Sequence, residues 1–94
     1  MQIAKVRGTV VSTQKEQSLR GLKLLMVQLI DEEGQLLPKY EVAGDRVGAG
    51  MGEWVLISRG SAARQIEGSE KSPIDAMVVG IIDTVSVDNR SLYS

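Results

Sequence analysis

The sequence predicts a small, mainly β domain: a five-stranded barrel with one short helix. Three observations carry that expectation. Val and Ile make up 18 of the 94 residues, and β-branched side chains favour the pleated backbone. Apolar residues alternate with others over several short segments, which are divided by Gly- and Asp-containing turns. A chain of 10.2 kDa buries about 64% of its unfolded surface, leaving roughly 5,300 Å² from about 14,800. That supports one modest core, so residues 1–94 read as a single domain.

The elements follow in order. Residues 2–12 read as a strand with Ala4, Val6, Gly8 and Val10 on one face and Ile3, Lys5, Arg7, Thr9 and Val11 on the wetter other face. Residues 12–21 are polar and read as a loop or projecting hairpin. A second strand spans 22–31. There Leu22, Leu24, Met26 and Ile30 alternate with Leu25, Val27 and Leu29, so both faces are apolar. Such a strand is covered twice, by its own core and by something else.

Asp31-Glu32-Glu33-Gly34 is a tight turn with Gly34 suited to positive φ. A third strand, 35–42, contains Pro38, which cannot donate to a ladder, so it is an edge or bulged strand. Residues 44–52 are turn-rich, with four glycines. Residues 54–58 form a short apolar strand. Residues 61–66 form the helix, with Ser61 as N-cap and Ala62, Ala63, Arg64 and Gln65 as helix formers. Residues 68–73 are a loop and 76–87 the last strand. The tail, 88–94, is polar and expected to be loose.

Composition removes much chemistry. There is no His and no Cys, which excludes Ser–His triads, Cys–His dyads, His or thiolate metal sites and disulfides. A chain without disulfides suits a reducing cytosol. The longest apolar stretch, 76–82, is far short of the about 20 residues a membrane helix needs. No signal-peptide pattern opens the chain. These features predict a soluble intracellular protein that uses no membrane.

Net charge is 11 bases against 12 acids, −1, but unevenly placed. Residues 1–30 hold five bases and one acid; residues 31–94 hold six bases and eleven acids. Either the two parts pair, within or between subunits, or the first presents a basic binding face.

Four site readings follow from the residues alone. Gly48-Ala49-Gly50-Met51-Gly52-Glu53 resembles a phosphate loop, but Glu53 stands where the dinucleotide fingerprint needs Gly, and Gly-Lys-Ser/Thr is absent. A glycine-rich turn into the Trp54 strand is the simpler reading. A barrel that binds single-stranded nucleic acid needs a basic groove and stacking aromatics, whereas Tyr40, Trp54 and Tyr93 are the only aromatics. Carboxylate catalysis would draw on Glu53, Asp75 and Asp83 with Lys71 or Arg64, yet no pairing pattern marks them. Gly60-Ser61-Ala62-Ala63-Arg64 reads equally as a helix cap with a surface Arg or as a close-packed contact in which Arg64 grips a neighbour's carboxylate. What stands is a β protein without evident chemistry, and its two-faced strand and few aromatics point to a core completed by self-association.

Several segments then resemble one family. Val42-Ala43-Gly44-Asp45-Arg46-Val47-Gly48-Ala49-Gly50 with Gly52-Glu53, the Gly60–Arg64 segment and Val79-Gly80-Ile81-Ile82-Asp83 are similar to signatures of the bacterial microcompartment vertex proteins, the EutN/CcmL family. Gly8-Thr9-Val10-Val11, Leu19 and Gly21-Leu22-Lys23-Leu24-Leu25 extend the match, which covers about residues 1–90. The opening strand, Val87-Asp88-Asn89-Arg90 and Tyr93 resemble the carboxysome branch. Ala62 departs from a Ser common in the family.

The resemblance implies an OB-like barrel with a short helix, assembled as a cyclic pentamer at the fivefold corners of a polyhedral shell. Its partners would be four identical subunits and hexameric facet proteins, with no nucleic acid and no cofactor. Its place would be the carboxysome shell in the cytoplasm, around ribulose bisphosphate carboxylase and carbonic anhydrase. Asp45, Glu53, Arg64 and Asp83 are then candidates for polar contacts within or between subunits. Gly48, Gly50 and Gly52 shape the turn into the Trp54 strand. Gly60, Ser61 and Ala62 lie near the fivefold axis, with Ser61 facing a pore. The 12–21 segment projects toward neighbouring facets.

Overall fold

The computed structural model describes residues 1–13, 17–60 and 74–94. Five strands close a barrel: β1 (Gln2–Val10), β2 (Lys23–Ile30), β3 (Leu36–Asp45), β4 (Trp54–Arg59) and β5 (Ala76–Ile81), in the order β1-β2-β3-β5-β4. A two-stranded ribbon, β6 (Val85–Val87) with β7 (Arg90–Tyr93), follows the last barrel strand. The helix expected at 61–66 and the loop at 68–73 lie outside the described residues, as do residues 14–16.

All barrel pairings are antiparallel except one. β3 and β5 run parallel, joined at Gly44↔Met77 and Asp45↔Val78. The core is the set of alternate side chains that point inward: Ala4 and Val6 from β1, Leu25, Val27 and Leu29 from β2, Ala43 from β3, Val55 and Ile57 from β4, Ala76 and Val78 from β5. Period-two alternation thus works as expected. Small residues on three strands suit the narrow interior of a five-stranded barrel.

The two-faced strand finds its second cover inside the chain. On the outer face, Leu22 and Leu24 pack with Ile74 and Met77, and Val10 and Leu19 lie against them. This cluster needs no second subunit. It also holds Leu19, the last residue of a 3₁₀ turn (Gln17–Leu19) in the part of the polar segment that is described.

Strand ends moved for identifiable reasons. β1 stops at Val10: its register slips between Val6 and Gly8, and Val11 is fully exposed. β3 continues through Gly44 and Asp45, which the sequence reading placed in a turn, because that end is held between β2 and β5. Pro38 sits where the β2–β3 register breaks, and among the described residues no strand pairs with the other side of Leu36 to Ala43, as an edge or bulged strand requires. At the turn, Gly34 takes φ +81°, and the Asp31 carboxylate accepts from Glu33 and Gln35 N–H.

The strand expected over 76–87 is two strands. After Ile81 there is no more of β4 to pair with; Ile82 N–H donates to the carbonyl of Trp54, the first β4 residue, and the chain bends at Asp83. The loose tail is also corrected. Asp88 and Asn89 both adopt positive φ, 52° and 61°, the requirement of a type I′ hairpin turn, and these two residue types tolerate it best after Gly. The returning strand lays Tyr93 flat on Trp54, with ring centroids 4.4 Å apart and planes 12° from parallel. Removing that stack by Tyr93→Ala is expected to free the ribbon and destabilise the chain by about 1–2 kcal/mol, the aromatic pair plus lost burial. Loss of near-ultraviolet circular dichroism from Trp54 at unchanged barrel signal would report it.

Candidate assembly site

Five of the sequence candidates, Asp45, Gly48, Gly50, Gly52 and Glu53, converge on one loop. Residues 46–53 leave β3, cross one end of the barrel and enter β4. Asp45 organises it. Its side chain is buried, 4% exposed, and accepts three backbone N–H bonds: Val47 at 2.9 Å and Gly48 at 3.1 Å on Oδ1, Ala49 at 2.8 Å on Oδ2. A carboxylate with three donors is a strong local clamp. It turns the methyl of Ala49 into the core, where that residue is 1% exposed.

Other groups complete the clamp. Glu53 Oε1 accepts from Gly50 N–H at 2.5 Å. Lys23 Nζ donates to the Ala49 carbonyl at 3.1 Å. Gly52 N–H donates to Val6 O and Val6 N–H to Glu53 O, both at 2.9 Å, which stitches the loop to β1. Gly48 and Gly52 have φ +98° and +83°, where a side chain is strained. Gly50 has an ordinary φ; there the limit is space, since a Cβ would lie 3.3 Å from Glu53 Oε1. Asp45 and Glu53 therefore make their polar contacts within the subunit.

The remaining candidates stand apart. Asp83 is exposed at the bend after β5 and has no polar partner among the described residues. Gly60 follows β4 with φ +61°, its N–H bonded to Asp75 O at 2.9 Å; no described residue lies within 4 Å of where its Cβ would be, and the positive φ itself favours glycine. Ser61, Ala62 and Arg64 lie outside the described residues.

The described members of the catalytic grouping are not assembled, and Lys71 and Arg64 lie outside the described residues. Asp75 and Asp83 flank opposite ends of the six-residue β5, about 20 Å of strand, and Glu53 is engaged by its own loop. The nucleic-acid reading also fails geometrically: Trp54 is 9% exposed and its ring is covered by Tyr93, so Tyr40 alone offers an open aromatic face.

Two features were not visible as motifs. Arg59 and Glu41 form an ion pair, half-buried, between β4 and the free part of β3. Gln28, 6% exposed, donates from Nε2 to Leu37 O at 2.9 Å and accepts from the Arg7 guanidinium. The Gln28 amide thus secures the backbone beside the Pro38 irregularity. Only pairing across the barrel brings these residues together; their sequence separation gives no local signal.

Comparison with known proteins gives one consistent result. The profile of the family described as ethanolamine utilisation protein EutN/carboxysome matches residues 1–83. The carboxysome shell vertex protein CcmL of Gloeobacter violaceus is 73% identical over 94 residues, which covers 100% of this chain and 94% of that protein. Its solved structure superposes with a TM-score of 0.95 over 100% of this chain and 97% of its own. A pentameric microcompartment shell protein of Rhodospirillum rubrum, GrpN, superposes with a TM-score of 0.85 at 52% identity, covering 93% of this chain and 99% of that one.

Proposed function

The chain belongs to the EutN/CcmL family, and from that membership we propose that it is a pentameric vertex subunit of the carboxysome shell. The observation that carries this reading is the full-length likeness, in sequence and in backbone, to carboxysome vertex proteins. The role is geometric. A sheet of hexameric units is flat, and a fivefold unit in place of a sixfold one forces curvature. Head-to-tail contacts that close after five copies supply that unit. Twelve such units close a polyhedron, here around the enzymes that fix carbon dioxide, in the cytoplasm. The subunit is structural and carries out no reaction. Hexameric facet proteins surround it.

The physical features agree with a structural part. The polar groups described above are consumed in holding a loop still, and Trp54 is consumed in holding the terminal ribbon. The experiment is native mass spectrometry of the purified chain. Five copies of a 10.2 kDa chain give about 51 kDa, since cyclic closure fixes the copy number. A monomer alone at micromolar concentration would overturn the pentamer.

A further inference from the structure

A closed ring of identical subunits needs two different patches on each copy, shaped for one another. Among the described residues, seven large apolar side chains are exposed: Met1, Val11, Leu36, Tyr40, Val42, Val47 and Met51. Met1 and Val11 stand singly beyond the two ends of β1. The other five form two groups.

The first group is a stripe on β3. Leu36, Tyr40 and Val42 pair with Ile30, Gln28 and Met26 and point outward, opposite to the buried Ala43. They are 44%, 59% and 39% exposed. From Leu36 to Ala43 no described strand pairs with the far side of β3, where Arg59 of β4 reaches Glu41, so the outward stripe runs beside that edge. The second group is Val47 and Met51, 47% and 68% exposed, on the loop clamped by Asp45 and Glu53.

We propose that the Val47–Met51 knuckle of one subunit seats on the Leu36–Tyr40–Val42 stripe of the next copy of this chain, and that this is the contact that repeats around the ring. The inference rests on the pentamer reading above. Two observations select a second copy as the occupant. The knuckle is rigid before contact, held by four N–H bonds to two carboxylates, so it loses little freedom on docking. Lys5, Arg7, Arg20 and Lys23 have no carboxylate partner among the described residues, so cations of residues 1–30 can meet carboxylates of residues 31–94 on a neighbouring copy.

The absence of cysteine makes the test clean. Tyr40→Cys and Met51→Cys chains are co-expressed and treated with a short bis-maleimide. Crosslinked dimers are expected from the mixture and not from either variant alone, because the contact is head-to-tail. Dimers from Tyr40→Cys alone, or no crosslink in a 51 kDa species, would overturn the proposal. In parallel, Val42→Asp is expected to reduce the pentamer at least tenfold by native mass spectrometry, with Trp54 fluorescence unchanged. A Val42→Asp chain that keeps a full ring, including one that spoils only shell closure, overturns the proposal and leaves the vertex reading standing. If unmodified protein forms no ring, the vertex reading itself fails. Should Val42→Asp unfold, the crosslink decides.

Discussion

Asp45→Ala is expected to destabilise the subunit by about 3 kcal/mol, because three charge-assisted hydrogen bonds end on one carboxylate. The loss is less than three full bonds. Val47 and Gly48 lie on exposed backbone and recover water as a partner. Ala49 does not: it is 1% exposed, so its N–H is left without an acceptor and its methyl loses its place in the core. In a domain of this size that corresponds to a fall in Tm of about 12–24 °C. The measurement is thermal unfolding at fixed protein concentration, since ring formation itself raises Tm by mass action. Asp45→Asn keeps the shape and one acceptor but turns an NH2 toward donors, so an intermediate loss is expected. An Asp45→Ala chain with wild-type Tm would refute the clamp. Because Val47 and Met51 ride on the clamped loop, the same variant should also weaken the ring.

The barrel was legible in the sequence where side-chain alternation met one covered face. Ala4 and Val6, Leu25 to Leu29, and Val55 and Ile57 all fall inside as the period of two requires. Turn chemistry was legible at Gly34, and Pro38 marked the stretch where the β2–β3 register breaks. The glycines of the 46–53 loop were legible as a turn, because positive φ is a local demand. What escaped was decided by contacts remote in sequence. The ribbon of β6 and β7 depends on a Trp54–Tyr93 stack formed across 39 positions. The apolar outer face of the second strand suggested a partner subunit, yet Ile74 and Met77 cover it. The parallel β3–β5 bridge has no signature in either strand. Alternation could place Asp45 on a face, but only the loop's return shows why a buried carboxylate is satisfied there. The family resemblance named the family that the comparisons show, without stating what each side chain touches.

Gly44 supplies the second large expected effect. Sequence reading assigned it to a turn, where glycine serves through φ. The structure places it inside β3, paired with Leu24 and bridged to Met77, and its φ is not positive. The demand is space. A Cβ there would stand 2.6 Å from Met77 Sδ, 2.9 Å from Leu22 Cδ2 and 3.2 Å from Ile74 Cδ1. These are the three side chains that, with Leu24, close the outer cluster. Gly44→Ala meets the movable parts of flexible chains, and it gains from a stiffer unfolded state by about 0.4–1 kcal/mol, so a small net loss is expected. Gly44→Val adds two methyl groups where Met77 is 0% exposed and has no solvent side into which to retreat. Overpacking of that kind destabilises by about 3 kcal/mol, against any gain in strand preference. The cluster carries Leu19 and Val10 at its margin, so the variant should also loosen the 3₁₀ turn. Hydrogen exchange should then rise at Arg20 and Leu22, whose N–H groups bond to Gln17 and Leu19 carbonyls, before it rises in β1 or β4. If Gly44→Val unfolds at the wild-type temperature with those amides still protected, the outer cluster is looser than the distances around Gly44 require, and it could not by itself cover the second face of β2.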